Sequence, residues 1–117
     1  MSLRERVDEL NQMILQGKIL EAFEQFYADD VVMQENDEEP RVGKAVNRAY
    51  EEAFVNGLTE FRGARLENVA VDEEKGVAFC EWFFDYTHKD FGSGTYHQVA
   101  RQIWKDGKIV NERFYHA

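Results

Sequence analysis

Glu112 and His116 stand four residues apart in the closing run Lys108-Ile109-Val110-Asn111-Glu112-Arg113-Phe114-Tyr115-His116, a carboxylate and an imidazole on one face if the run is a strand. At about 3.3 Å per residue they lie roughly 13 Å apart, too far for a direct acid–base pair. A buried Glu112 would need its own partner, such as Gln102 or Arg48, because a lone carboxylate is expensive to bury. His88, His97 and His116 do not share a face at ligand spacing, so no metal site and no cofactor are expected. Glu35 opens the stretch Glu35-Asn36-Asp37-Glu38-Glu39-Pro40, whose four carboxylates and proline have the composition of a solvated loop. Cys80, set between bulky apolar residues, reads as an inert core thiol.

The chain that must position these groups has 117 residues, 44% of them apolar, which is one compact domain over residues 1–117. Sixteen aromatics supply an ample core, and intrinsic disorder is not expected on that ground. A net charge of −9 repels phosphate backbones and acidic headgroups, so nucleic acid and membrane surfaces are not expected partners. One cysteine cannot form an internal disulfide, and neither an apolar span nor a signal-like N-terminus is present, so a reducing cytoplasm is the expected compartment.

Leu3, Val7, Leu10 and Ile14 recur at helical spacing behind a Ser2/Glu5 capping box, and Gly17 is the natural stop. A second helix carries Ile19, Leu20, Phe23, Phe26 and Tyr27 and is expected to end at Asp29-Asp30; Val31-Val32-Met33 then suggests a short strand. A third helix runs from Gly43 to Asn56-Gly57, with Val46, Ala49, Tyr50, Ala53 and Phe54 on one face. Beyond residue 58 the period becomes two. Strands are expected over 59–71, 77–89, 95–105 and 108–116, joined at 72–76, Phe91-Gly92-Ser93-Gly94 and Asp106-Gly107 into an antiparallel meander. Helices first and strands later define an α+β domain, with three helices on a curved, mainly antiparallel sheet. The run 77–86 is apolar on both faces, and helices can cover only one. A second copy of the chain is the simplest cover for the other, through Val77, Phe79, Phe83, Val99 and Ile103.

The order helix, glycine, helix, Tyr27-Ala28-Asp29-Asp30-Val31-Val32, loop, Gly43, helix, and a sheet ending Trp104-Lys105-Asp106-Gly107-Lys108-Ile109-Val110 resembles the SnoaL-like group of the nuclear transport factor 2 superfamily, over nearly the whole chain. The resemblance implies a cone-shaped α+β barrel of cystatin-like fold, a pocket between helices and sheet, and dimerisation through the outer sheet face. It specifies activity poorly, since similar proteins include ketosteroid isomerases, epoxide hydrolases, polyketide cyclases and transport factors. Glu35 stands where similar isomerases carry their catalytic carboxylate base. Their oxyanion tyrosine is matched here by Leu10 and their protonated aspartic acid by Ala100, so steroid isomerisation is not expected; Phe114 replaces the last-strand aspartate of the epoxide hydrolases.

Two registers of the last hairpin are open, since a two-residue turn pairs Trp104 with Ile109 and a three-residue turn pairs it with Lys108. The isomerase resemblance favours the second. It turns Tyr96, Gln98, Ala100, Gln102 and Trp104 toward the helices with Val110, Glu112, Phe114 and His116, sets Tyr96 opposite His116, and leaves Asn111, Arg113 and Tyr115 outside. On this reading the candidate catalytic residues are Glu35, Glu112 and His116, and the candidate ligand-binding residues are Tyr50, Trp82, Phe84, Tyr96, Gln98, Gln102 and Phe114. The expected function is binding of a small apolar or aromatic molecule, with isomerase, lyase or hydrolase chemistry on it. The alternative is a non-catalytic homodimeric association module whose pocket is filled by its own Trp82 and Phe114.

Overall fold

A computed structural model describes residues 2–117. The chain runs α1 (Leu3–Leu15), α2 (Ile19–Phe26), β1 (Tyr27–Glu35), β2 (Arg41–Val42), α3 (Lys44–Gly57), β3 (Leu58–Asp72), β4 (Val77–His88), β5 (Gly92–Lys105) and β6 (Lys108–His116). Ser2 Oγ accepts from the Glu5 amide and Glu5 Oε1 from the Ser2 amide, both at 3.1 Å, closing the expected capping box. Gly17 leaves α1 at φ +80°, a conformation that favours glycine.

The sheet has six strands in the order β2-β1-β6-β5-β4-β3 and is antiparallel except where β1 runs parallel to β6. It is curved but open, so the cone is not a closed barrel. Register shifts within β3 bend its long pairing with β4 around the helices. Val7, Leu10, Phe23, Phe26, Val31, Met33, Cys80, Trp82 and Ile109 form the core between helices and sheet.

Helix α2 ends earlier than its composition suggests. Tyr27 is already extended (φ −105°, ψ 135°), and Asp29-Asp30 lie inside β1, where the pairing with β6 breaks between Tyr27 and Val32. Gly92 and Gly94 pair with His88 and Tyr86 inside β5, so the β4–β5 turn is Lys89-Asp90-Phe91 and not 91–94.

The closing hairpin corrects the expected register. Asp106 and Gly107 both have positive φ (53° and 78°), so this is a two-residue turn of the I′ kind, pairing Lys105 with Lys108 and Trp104 with Ile109. A bulge then leaves Val110 unpaired before Ile103 meets Asn111. The extra residue reverses the parity once more. Ile109 rather than Val110 is buried beside Trp104, yet Glu112 and Phe114 still fall on the helix side. Partners are displaced: Gln98 opposes His116, Ala100 opposes Phe114 and Gln102 opposes Glu112.

Helix α3 is turned from its expected orientation. Val46 (55% exposed), Tyr50 (42%), Ala49 and Ala53 face solvent, while Asn47 and Gly57 are buried. The anchor is polar. Asn47 Nδ2 donates to the carbonyls of Gly43 (2.9 Å) and Arg41 (3.0 Å), and its Oδ1 accepts from Arg41 Nε (3.1 Å). At the other end Phe54 packs edge-on against Tyr86 and stacks on His88, and His88 lies where a Cβ on Gly57 would be, 2.2 Å from its Nε2.

Candidate functional site

Glu112, brought under the helices by the bulge, is 2% exposed. The Tyr27 hydroxyl donates a hydrogen bond to its Oε1, and Gln102 Nε2 donates to its Oε2 at 2.8 Å. Gln102 is itself fixed, since its Oε1 accepts from Trp104 Nε1 at 3.1 Å. Burial pushes the Glu112 carboxyl up to about 7, against the opposing hydrogen bonds of Tyr27 and Gln102, while the Glu35 charge raises it further. Burial and the same carboxylate hold the Tyr27 phenol well above its ordinary value.

Glu51 extends from α3 toward the same interior. Burial pushes its carboxyl up to about 7, the Glu112 and Glu35 charges add to this, and Arg41 opposes it. Among the described residues Glu51 has no hydrogen-bond partner. Glu35, at the end of β1, is held from two sides, by Arg41 Nη2 at 3.1 Å and His116 Nε2 at 3.2 Å, and its side chain is 15% exposed. The Arg41 guanidinium also lies over the Tyr50 ring, 3.6 Å from its centroid.

The structure therefore joins Glu35 to His116 and Glu112 to Gln102, and reaches Tyr50 through Arg41. It does not join Tyr96 to His116. Tyr96 stacks on Tyr86 at 4.4 Å, and the end of the chain is clasped instead by Asn36, which exchanges two hydrogen bonds with the His116 backbone. Arg48 pairs with Glu24 and Glu52 and does not meet Glu112. Trp82, 3% exposed, stacks on Phe84 at 5.4 Å opposite Gln98, and Phe84 and Phe114 pack against the core. Arg113 lies on the outer side, but its partners are Asp37 and the Asn36 carbonyl rather than Glu81 or Asp85.

Sequence reasoning missed Tyr27, Arg41, Glu51 and Tyr86. Asn47 and Glu51, four apart on α3, were a legible polar pair that the apolar stripe beside them obscured. Arg41 was a basic residue directly after an acidic run. Nothing in the sequence marks Tyr27 as more than the end of an apolar face.

Three helices on the concave face of an open, curved sheet, with acidic and aromatic side chains between the layers, define an α+β protein of the cystatin-like fold. Residues 7–112 match the SnoaL-like domain, and the chain belongs to that family. A candidate SnoaL-like polyketide cyclase from Mesorhizobium loti is 28% identical, with a TM-score of 0.86 over 98% of this chain and 99% of the other. A protein of cystatin-like fold and unknown function from Xanthomonas campestris superposes at 0.83 with 16% identity, over 100% of this chain and 92% of the other. A candidate isomerase from Bacillus subtilis superposes at 0.79 with 17% identity, over 100% and 90%. The last two likenesses show the fold alone. No curated protein matches the sequence.

Proposed function

We propose that the chain binds a small apolar or aromatic molecule between α3 and the concave face of the sheet, and that its interior carboxylates move a proton on that molecule in an isomerase, lyase or hydrolase reaction. One observation carries this reading: a buried Glu112, fixed by Tyr27 and Gln102, beside a carboxylate, Glu51, that no described residue engages by a hydrogen bond. A carboxyl group titrating near neutrality can both take and return a proton. Glu35 and His116 form a second acid–base pair at the more exposed end. Tyr96, Gln98, Phe84, Trp82 and Phe114 supply the surrounding surface, and Tyr50, which faces solvent, reaches it only through Arg41. The description of the Mesorhizobium loti neighbour as a SnoaL-like polyketide cyclase supports reading this fold as one that can carry a reaction on a small molecule.

Titration with flat aromatic ketones and acids, followed by NMR, tests this. His116 and the Trp82 indole should shift together. Shifts confined to the outer sheet face, or none, would remove the reading.

The stack of Trp82 on Phe84 favours a second reading, a non-catalytic association module with a self-filled interior. Both readings include a homodimer through the outer face, where Phe79 is 45% exposed beside Val77, Phe83, Val99 and Ile103. Sedimentation should give twice the chain mass, falling to one for Phe79→Asp. A monomer at tens of micromolar would exclude the dimer. No described helix is long and apolar enough to cross a membrane. A reducing cytoplasm suits the buried Cys80, whose thiol burial pushes up to about 11 and so keeps protonated.

A further inference from the structure

On the outer face of the sheet Arg65 pairs with Glu67 and Arg113 with Asp37, while Arg101 meets no carboxylate among the described residues. That is notable in a chain with 23 acidic residues and a net charge of −9. The Arg101 guanidinium reaches only a neutral amide: Nη2 donates to Asn111 Oδ1 at 2.6 Å, and Nε is enclosed without an acceptor. Register sets Arg101 directly opposite Arg113 on β6, and like charges so placed repel. The stranded Nε and the opposed guanidinium are both unfavourable in the single chain.

Register also places a carboxylate nearby on the same face. β4 and β5 set Phe79 opposite Arg101 and Glu81 opposite Val99, so the four side chains form a rectangle with Glu81 and Arg101 on one diagonal. Diagonal neighbours lie about 7–8 Å apart, within reach of long side chains. The two do not meet. Arg101 turns toward Asn111 on β6, and Glu81 toward β3, where its Oε1 accepts from Asn68 Nδ2 at 2.8 Å. Glu81 Oε2 and Arg101 Nη1 have no partner among the described residues, and neither is enclosed. The other diagonal is apolar. Phe83 lies under Arg65, 4.1 Å from its ring centroid, and against His97 at 5.1 Å, whereas Phe79 is 45% exposed and covered by neither a cation nor a ring.

An acid and a base turned away from each other, with apolar side chains between them, make a patch that is complementary to itself. In a two-fold pair, contact of one residue with a second on the partner implies the reverse contact as well. An apolar partner would leave Arg101 unpaired and an acidic one would leave Glu81 unpaired; a second copy satisfies both. We propose that the outer face receives a second copy of this chain through Arg101 on the partner's Glu81 and Glu81 on the partner's Arg101, with Phe79 and Val99 packed beside the axis. The proposal rests on the homodimer reading above and deepens it, naming the charge pair that sets the register of the two sheets.

Charge swaps, followed by sedimentation of the full chain at tens of micromolar, test this. Arg101→Glu and Glu81→Arg should each run as a monomer, self-association being weakened at least about a hundredfold by two repulsive pairs. Mixed in equal amounts they should recover the dimer, because one copy then carries two carboxylates and the other two guanidiniums. The double variant, Glu81→Arg with Arg101→Glu, should dimerise on its own. Arg101→Glu sets a carboxylate opposite Arg113 and should fold; circular dichroism checks both single variants, and the double variant keeps the test decisive if one of them does not. Single variants that dimerise as the parent does would overturn the pairing of Arg101 with Glu81 and leave the homodimer in place, as would monomers that neither the mixture nor the double variant restores. A monomeric parent would overturn both, and one whose Arg101 and Phe79 NMR signals shift with an oligoglutamate peptide would give the face to an acidic partner instead.

Discussion

Replacing Glu112 by Gln tests the interior electrostatics more sharply than any other single change. The sign follows from linkage: a carboxyl held at about 7 when folded and near 4.5 when unfolded stabilises the fold fully below pH 4.5, and that contribution is lost as pH rises through about 7. A tenfold difference in proton affinity between the two states corresponds to about 1.4 kcal/mol, so raising pH from about 5 to 8 should cost the unmutated protein about 2–3 kcal/mol through Glu112 alone. The amide introduced by Glu112→Gln cannot ionise and escapes this loss. It has a fixed cost of its own, because Tyr27 and Gln102 each donate to one Glu112 oxygen and an amide at position 112 offers a carbonyl to only one of them. One donor is then stranded, at about 1–3 kcal/mol. Urea unfolding at about pH 5, 6.5 and 8 should therefore find the variant less stable than the parent in acid, with the gap closing by about 2–3 kcal/mol toward alkaline pH. Parallel pH curves for the two proteins would refute the burial of an ionisable carboxylate here, whatever their vertical offset.

Asn47→Ala should cost about 2–3 kcal/mol by stranding the Arg41 and Gly43 carbonyls, and amide exchange should accelerate in α3 before it does in β4 or β5. Gly57→Ala should destabilise by about 1–3 kcal/mol by driving His88 off the Phe54 carbonyl that its Nε2 meets at 3.1 Å; an unchanged melting temperature would place His88 elsewhere. Phe23→Ala should cost about 3–5 kcal/mol in urea unfolding, because the ring is 2% exposed and stacked on Tyr27, and the same variant should perturb the Glu112 titration through Tyr27.

The elements that sequence made legible were those whose local chemistry is one-sided. The Ser2/Glu5 box and the alternation over β3 to β6 each admit a single reading. The hairpin shows where local rules stop. Asp106-Gly107 selected the two-residue turn, as the dipeptide alone suggests, and the bulge at Val110 undid its consequence for every residue beyond. Pairing partners were thus expected two positions away from where they fall, although Glu112 was expected on the correct side. A bulge leaves no mark on a periodic strand, because its cause is the burial of Ile109 under the helices and of Glu112 beneath Tyr27 at the same time. No one-residue register satisfies both.

Helix α3 carries the larger lesson, since its pattern was read with the ordinary rule that apolar stripes face the core. Here Val46, Ala49, Tyr50 and Ala53 look outward, and Asn47 and Glu51 look in. That inversion is unfavourable for a helix whose only task is to cover a sheet, because it forfeits apolar burial and brings a carboxylate into a setting that raises its proton affinity. It becomes intelligible once the end of the helix next to β1 is held by hydrogen bonds instead of packing. Asn47 satisfies backbone groups of β2 and of the turn before α3, and Phe54 supplies the aromatic contact at the far end. Between these two anchors the helix presents Glu51 to the sheet. An apolar side chain at position 51 would have made the fold more stable and left no carboxylate facing the sheet.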